Sequence, residues 1–319
     1  MTTTLTARGP EDLLAAVPVV LGFRPQESLV MLTFGAARPF HARVDLPPPG
    51  DPAGVAEAVQ ALLGPSLVHQ VARVAFVVYS ADPAPAARLA AALVPAFVAD
   101  GVEVLEVLRV HDGAWCSVPI RAGGVETPPV RFDDTHHRFS AQAVFEGRVT
   151  LGSREELRAT LAPCPDARER WGAHIAGLPD PGPADVARVH ALLAGWVASG
   201  EQPDDEGAAL VLRAVTLVDV RDVALYAVTR ATSPDHLRVW SALLRGAPDE
   251  QVPDTAAVTA FCAWLSGHGA LAWCALDRCF EVDADHRLGA CLAQCLERAL
   301  PPTAWEEVAD DDTGRRDSA

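Results

Sequence analysis

The sequence predicts an α/β N-terminal domain, with a mixed sheet and crossover helices, followed by an all-helical domain. Ser28–Phe34 and Arg73–Tyr79 are near-continuous apolar runs, as expected of strands covered on both faces. Each of the helix-start signals at Asp51 and Asp82 is followed by a proline, which favours alternation of strand and helix. From Ala184 onward apolar residues recur only at helical spacing, so no strand is predicted there.

The first domain is predicted from short elements with clear boundaries. In chain order they are a helix at 10–21, strands at 28–34 and 40–46, a helix at 52–63, a strand at 73–79, a helix at 83–98, and strands at 102–110 and 114–118. Pro18 is expected to bend or end the first helix, and Gly22 to stop it. His111-Asp112-Gly113 is predicted as the turn between the last two strands.

The second half is predicted to be helical between two irregular segments. Residues 119–138 are expected to be irregular, with helices at 140–146 and 153–162, and the prolines of 163–183 indicate an interdomain connection. Further helices are predicted at 184–198, 206–218, 220–230, 234–245, 254–266, 269–281 and 285–299. We therefore divide the chain into an α/β domain at 1–150, a connection at 151–183, a helical domain at 184–302 and an acidic disordered tail at 303–319.

Composition excludes several classes of function. The 319 residues carry a net charge of −16, and all 26 basic residues are Arg, with neither Lys nor Asn in the chain. A phosphate-loop lysine, a Schiff base and an Asn-linked glycan are therefore impossible. Net acidity without a basic run disfavours nucleic acid, and no apolar stretch reaches membrane-span length. The absence of a secretory signal and the seven widely spaced Cys predict a cytoplasmic protein with reduced thiols.

Two end motifs resemble an actinobacterial family catalogued as domain of unknown function four-one-nine-two. GFRPQESLV at 22–30 and RVDLP at 43–47 are similar to its opening signature, and the Ala-Trp-Leu helix with the Gly-x-Gly-Ala turn within 263–302 is similar to its closing signature. VRD at 220–222 also fits. The resemblance implies no activity, ligand or catalytic residue. Where family members often carry Cys-Cys-Pro, this chain has Cys116 followed by Ser117, which speaks against a metal or redox role there.

A polar cluster is predicted at the carboxyl ends of the strands, where α/β sheets bind ligands. If strands 40–46, 73–79 and 102–110 are parallel, their ends bring together Arg43, Asp45, Tyr79, Ser80, Asp82, His111 and Asp112. Histidine beside carboxylates and hydroxyls could perform general acid–base chemistry. The structural alternative is that Asp82 caps a helix, that His111-Asp112-Gly113 only forms a turn, and that Arg43 and Asp45 form a surface ion pair.

Two other groups of metal-ligand residues are interpreted as structural. Asp133, Asp134, His136 and His137 include zinc-ligand types, but neighbouring side chains diverge and the spacing fits no known site, so we expect a solvated loop. Five Cys between 262 and 295 lie among apolar helical neighbours, which predicts core packing and unreactive thiols. We predict no metal and no cofactor.

These observations leave two functions open. The first is a non-enzymatic partner-binding or regulatory protein, because the helical domain resembles a tetratricopeptide-like hairpin near 267–283 and offers an interaction surface. The alternative is a small-molecule-binding domain or enzyme that uses the strand-end cluster. A concave pocket lined by Arg43, Asp45, Ser80 and His111 would favour the alternative.

Overall fold

A computed structural model describes residues 7–36, 40–120 and 124–306, and it divides into two compact units. The first comprises Met1–Arg154 with Glu297–Ala299, and the second comprises Glu155–Leu296 with Leu300–Ala319. Within the described ranges, no helix is both long and apolar enough to cross a membrane. Residues 307–319, most of the expected acidic tail, lie outside the described residues.

The first unit contains a six-stranded mixed sheet with the strand order β2-β1-β3-β4-β5-β6. The strands are β1 (Ser28–Phe34), β2 (His41–Asp45), β3 (Arg73–Tyr79), β4 (Glu103–His111), β5 (Ala114–Ser117) and β6 (Val130–Arg131). Strand β1 is antiparallel to both β2 and β3, whereas β3 and β4 are parallel. Together with the helices that follow residue 138, this confirms the predicted fold class.

Both faces of the sheet are covered, which explains the continuous apolar runs of its central strands. Helices α2 (Pro52–Val68) and α3 (Pro83–Ala99) belong to the core that covers one face, and α1 (Pro10–Leu21) contributes to the core on the other. Asp51 and Asp82 cap α2 and α3, as predicted, by accepting hydrogen bonds from Gly54 N and Ala84 N at 2.9 Å each.

Two local predictions about helices and irregular segments were wrong, whereas the first helix has its predicted bounds. Helix α1 continues through the buried Pro18, so Pro18 does not end it, and the helix ends as predicted at Gly22. Helix α2 extends to Val68 instead of ending at Leu63, because Ser66, past Pro65, is buried and bonds back to the Leu62 carbonyl. Within 119–138, expected to be irregular, the short strand β6 adds to the sheet edge.

The second unit is helical and encloses one long apolar core. After α4 (Arg138–Phe145), which belongs to the first unit, the helices are α5 (Arg154–Ala159), α6 (Pro165–Ala176), α7 (Ala184–Ser199), α8 (Asp205–Ala214), α9 (Val218–Tyr226), α10 (Ser233–Gly246), α11 (Val252–Leu265), α12 (Gly269–Val282) and α13 (Arg287–Glu297). Helix α6 occupies much of the segment expected as a connection, and its Trp171 and Ile175 lie in this core.

Helix α11 is buried on all sides, which differs from the amphipathic helix that its sequence predicts. Every residue of it except Asp254 is buried. A helix that is apolar around its whole circumference must lie inside a bundle. The periodic face at Val258, Phe261, Cys262 and Leu265 is therefore only one part of a surface that is enclosed throughout.

Gly246 at the end of α10 should not tolerate a side chain. A Cβ there would lie 2.2 Å from the Trp171 ring, which is fixed because its Nε1 donates to Asp205 Oδ1 at 2.7 Å. We expect Gly246→Ala to lower the free energy of unfolding by about 1–3 kcal/mol, measured by urea denaturation. Gly195→Ala in α7 is the control: nothing lies within 4 Å of its Cβ, so it should stabilise by about 0.5–1 kcal/mol. Equal effects at both sites would contradict this packing.

Candidate functional site

The predicted strand-end residues lie at the same end of the sheet, where β2, β3 and β4 finish. Strands β2 and β3 run in the same direction because both are antiparallel to β1, and β4 is parallel to β3. In the register of the sheet Ser28 lies opposite both Asp45 and Tyr79, and Tyr79 lies opposite Val110. Asp45 is therefore on the face that carries Tyr79.

The two ends of the predicted cluster do not meet. His111 follows Val110, so its side chain points to the opposite face from Asp45. Strands β2 and β4 are separated by two intervening strands, which is about 14 Å at ordinary strand spacing. Asp45 and His111 thus lie at the same end of the sheet but are too far apart to act together on one small functional group of a substrate.

On the β2 side, Arg43 binds two neighbouring side chains through its Nε and Nη2. Its Nε and Nη2 donate to Ser28 Oγ at 2.9 and 2.6 Å, and Nη2 also lies 2.6 Å from Asp45 Oδ1. Ser28 in turn donates to the Gln26 carbonyl at 2.6 Å. This network fixes the start of β1 against the edge strand, which is the structural alternative foreseen for Arg43 and Asp45.

On the β4 side, Arg109 is held by a carboxylate that the sequence analysis did not single out. Its Nε and Nη2 donate to Glu126 Oε1 and Oε2 at 3.0 and 2.9 Å, and its Nη1 reaches the Ser80 carbonyl at 3.4 Å. The hydrogen bonds to Glu126 raise the pKa of Arg109. His111 and Asp112 are exposed, and Asp112 adopts φ 47 in the predicted turn.

The loop at 132–137 does not gather its four metal-ligand side chains into one site. Asp133 accepts hydrogen bonds from Thr135, and its Oδ2 lies 3.3 Å from Nδ1 of the exposed His136. Asp134 instead accepts from Arg24 Nη1 at 2.7 Å. His137 caps α4 by accepting from Phe139 N, which leaves its Nε2 to donate to Asp12 at 2.9 Å. No group of three or more His, Cys, Asp or Glu residues in the described parts of the chain could hold a metal ion.

The cysteines are largely, but not wholly, core residues. Cys262, Cys274 and Cys279 are buried, and burial raises the pKa of Cys262 and raises that of Cys279 to about 12. Cys291 is exposed on α13, so the prediction that all five cysteines pack in the core was wrong for this residue. It lies at the margin of the apolar face, beside the buried Leu292. The predicted lack of thiol reactivity stays a prediction.

A second histidine cap stands in the helical unit. His286 accepts from Gly289 N at the start of α13, so its Nε2 carries the proton and donates to Asp254 Oδ1 at 3.2 Å. Arg221 Nη1 donates to the same oxygen at 2.6 Å. These bonds join α9, α11 and the start of α13.

A cavity that the sequence did not predict lies in the helical unit. It measures about 410 Å³ and is bounded by α5 and the residues after it, by Arg168 of α6, by Asp249 and Val252, and by the end of α12. Two ion pairs stand at its rim, Arg158 with Glu281 and Arg168 with Asp249 at 2.5 Å. Arg43, Asp45, Ser80 and His111 line neither this cavity nor the second one described.

Arg278 is the one buried guanidinium that lines this cavity. It is 8% exposed, and its Nη1 donates to the carbonyls of Leu161 and, at 3.2 Å, Leu244. Its Nε and Nη2 donate to no residue in the described part of the chain, and neither atom is enclosed by protein. Burial lowers the pKa of Arg278, and the charges of Glu281 and Asp249 offset this effect only in part. The cavity therefore presents a partly unsatisfied cation.

The helical periodicity of α12 could have predicted from the sequence that Arg278 is buried. Arg278 lies four residues after Cys274 and three after Ala275, both buried, and so falls on the inward face of α12. A charged residue on an apolar stripe requires a compensating group.

Comparison with known proteins identifies a family but no activity. A family model described as "Domain of unknown function (DUF4192)" matches residues 10–303. No curated protein and no solved structure gives a significant match to the chain. The matched range includes nearly all of both units.

Replacing Asp254 should destabilise the protein most at neutral pH. Burial opposes ionisation of Asp254, but the hydrogen bonds from His286 and Arg221 outweigh it and hold its pKa below the ordinary value of 3.8. Its carboxylate therefore stabilises the fold above about pH 4, and this contribution is lost as the pH falls through the folded-state value. We expect Asp254→Asn to cost about 3 kcal/mol at pH 7 by urea denaturation, with a smaller loss near pH 3.

The control for this prediction is Asp219→Asn, which removes an exposed carboxylate from the first turn of α9. That substitution should cost less than about 1 kcal/mol at either pH. A cost for Asp254→Asn that does not change with pH would show that the charge of Asp254 contributes nothing to stability.

Proposed function

The chain belongs to the DUF4192 family, and from that premise we propose that it is a small-molecule-binding protein whose helical unit holds an anionic ligand against Arg278. The end motifs that first suggested the family, at 22–30 and 263–302, lie within the matched range. Because the family has no assigned activity, the function is argued from the chemistry of the cavity alone.

One observation supports the proposal: Arg278 differs from Arg43 and Arg109 in what balances its charge. Arg43 and Arg109 each face a carboxylate of their own unit, Asp45 and Glu126. Arg238 also donates only to backbone carbonyls, but it is less buried than Arg278 and does not line the cavity.

Arg278 donates only to backbone carbonyls, and the carboxylates that act on it, Glu281 and Asp249, are each paired with another arginine. A carbonyl dipole compensates a full charge incompletely. An anion that enters the cavity would add a compensating charge and accept hydrogen bonds from the remaining donor atoms, Nε and Nη2.

The dimensions of the cavity are suited to such a ligand. Small-molecule sites are commonly 300–1,000 Å³ and combine an apolar lining with few polar anchors. This cavity has about 410 Å³, Val252 in its wall and Arg278 as a buried anchor. Both rim ion pairs are largely exposed and contribute little to stability, so they can rearrange around an entering molecule.

The functions anticipated from the sequence stay predictions. Partner binding by the helical domain, chemistry at the strand-end cluster, a cytoplasmic location and an actinobacterial origin each need their own test. The strand-end cluster is the weaker candidate for ligand binding, since its Arg43 is paired with Asp45, the nearby Arg109 is paired with Glu126, and Asp45 lies far from His111.

Ligand binding should appear as stabilisation that depends on the cavity. We expect at least one member of a panel of small carboxylates, phosphates, sulfates and nucleotides to raise the thermal unfolding midpoint of the full chain. A ligand at 100 times its Kd adds about 2.7 kcal/mol to the free energy of unfolding. Ala162→Trp should abolish the shift by filling the cavity from its exposed wall without altering Arg278.

The matched control is Ala173→Trp, an exposed position of α6 that does not line the cavity. This variant should retain the shift. A panel without any stabilising anion, or a shift that survives Ala162→Trp, would overturn the proposed function.

A further inference from the structure

We propose that the ligand held by Arg278 is a monoanionic carboxylate with a short apolar body, such as an alkanoate, and that it is neither a phosphate ester nor a polyanion. This inference rests on the proposed function and specifies its ligand class. It follows from the charge balance of the cavity, from the two donor atoms that remain on Arg278, and from the apolar wall beside them.

The charge balance of the cavity disfavours a ligand with more than one negative charge. Three arginines and three carboxylates line it: Arg158 is paired with Glu281 and Arg168 with Asp249, which leaves Arg278 without an ion pair among the described residues. Glu155 also lines the cavity, at its exposed side, and its charge offsets that of Arg278 in the total. A dianion would therefore meet repulsion from these carboxylates with no second free cation to offset it.

The free donors of Arg278 have the geometry that a carboxylate requires. Nε and Nη2 lie side by side on the planar guanidinium and can each donate to one oxygen of a carboxylate. The same protein uses this arrangement elsewhere: Arg109 holds both oxygens of Glu126 through its Nε and Nη2, at 3.0 and 2.9 Å. The two carbonyls that bind Nη1 of Arg278 fix the plane of the group and keep this edge toward the cavity.

The remaining volume favours an apolar body over a bare ion. A volume of about 410 Å³ is many times the roughly 30 Å³ that one water molecule occupies in the liquid. Val252, Val282, Ala159, Ala162 and Pro163 supply carbon surface to the wall, and Val282 is 47% exposed. A hydrocarbon chain that extends from the carboxylate would cover Val282 and the alanines and gain hydrophobic stabilisation.

The test is titration calorimetry of the full chain with a series of straight-chain alkanoates from acetate to octanoate at pH 7.5 and constant ionic strength. Inorganic phosphate, hexyl phosphate and hexylammonium are measured alongside. We expect Kd to fall up to about fourfold for each added methylene until the cavity is filled. Hexyl phosphate should bind at least tenfold more weakly than hexanoate, and hexylammonium should not bind.

Variants separate the carboxylate contact from the apolar wall. Arg278→Lys keeps a positive charge and a donor for the Leu161 carbonyl but loses the two-pronged edge, so hexanoate should bind at least tenfold more weakly. Ala162→Trp should abolish alkanoate binding, and Ala173→Trp should not change it. Because Arg278→Lys could fail to fold, Ala162→Trp decides the location independently, and the preference for hexanoate over hexyl phosphate decides the headgroup in the native chain.

Each result has a distinct meaning. Tighter binding of hexyl phosphate or inorganic phosphate, lost in Ala162→Trp, would overturn the carboxylate inference while supporting an anion site. Equal binding of hexanoate and hexylammonium would overturn both, because charge would then play no part. If no alkanoate binds, the inference is overturned. The wider anion panel then decides the proposed function separately.

Discussion

The helical unit depends on the complete burial of α11. A helix that exposes almost none of its circumference cannot be stable until other helices surround it, so the arrangement of its neighbours is dictated by the need to cover it. Asp254 is the exception, and its position explains the Asp254–His286–Arg221 cluster: a carboxylate at a buried helix start must find donors within the fold. The cap of α13 and the orientation of α9 follow from the same requirement.

Charge compensation distinguishes the structural arginines from the candidate binding residue. Arg43, Arg109 and Arg221 each face a carboxylate, and each joins two segments of chain. Arg43 pairs with Asp45 on its own strand and binds Ser28 of β1, whereas the carboxylates of Arg109 and Arg221 belong to other segments. Arg278 also joins two segments, the end of α10 and the residues after α5, but it does so through carbonyl groups. Within the fold, the guanidinium of Arg278 thus acts as a hydrogen-bond donor to two carbonyls and not as a member of an ion pair.

The sequence predicts those features that local chemistry determines. Asp51 and Asp82 start helices because a carboxylate followed by proline has few other roles, and the strands 28–34 and 73–79 follow from unbroken apolar runs. Helix α6 and the extension of α2 past Pro65 were missed because tertiary burial overrides the local effect of proline. The cavity could not be predicted, since Arg158, Arg168, Asp249 and Arg278 come together only through the packing of helices distant in sequence.

The bonds of Arg278 have a consequence for the order in which the chain is completed during synthesis. Leu161 precedes Arg278 by 117 residues, and its carbonyl accepts the Arg278 donor only after α12 has emerged from the ribosome. The Leu244 carbonyl likewise accepts a hydrogen bond from a residue that is synthesised 34 positions later. The helices from α6 to α11 are therefore synthesised before Arg278 can join the end of α10 to the residues after α5.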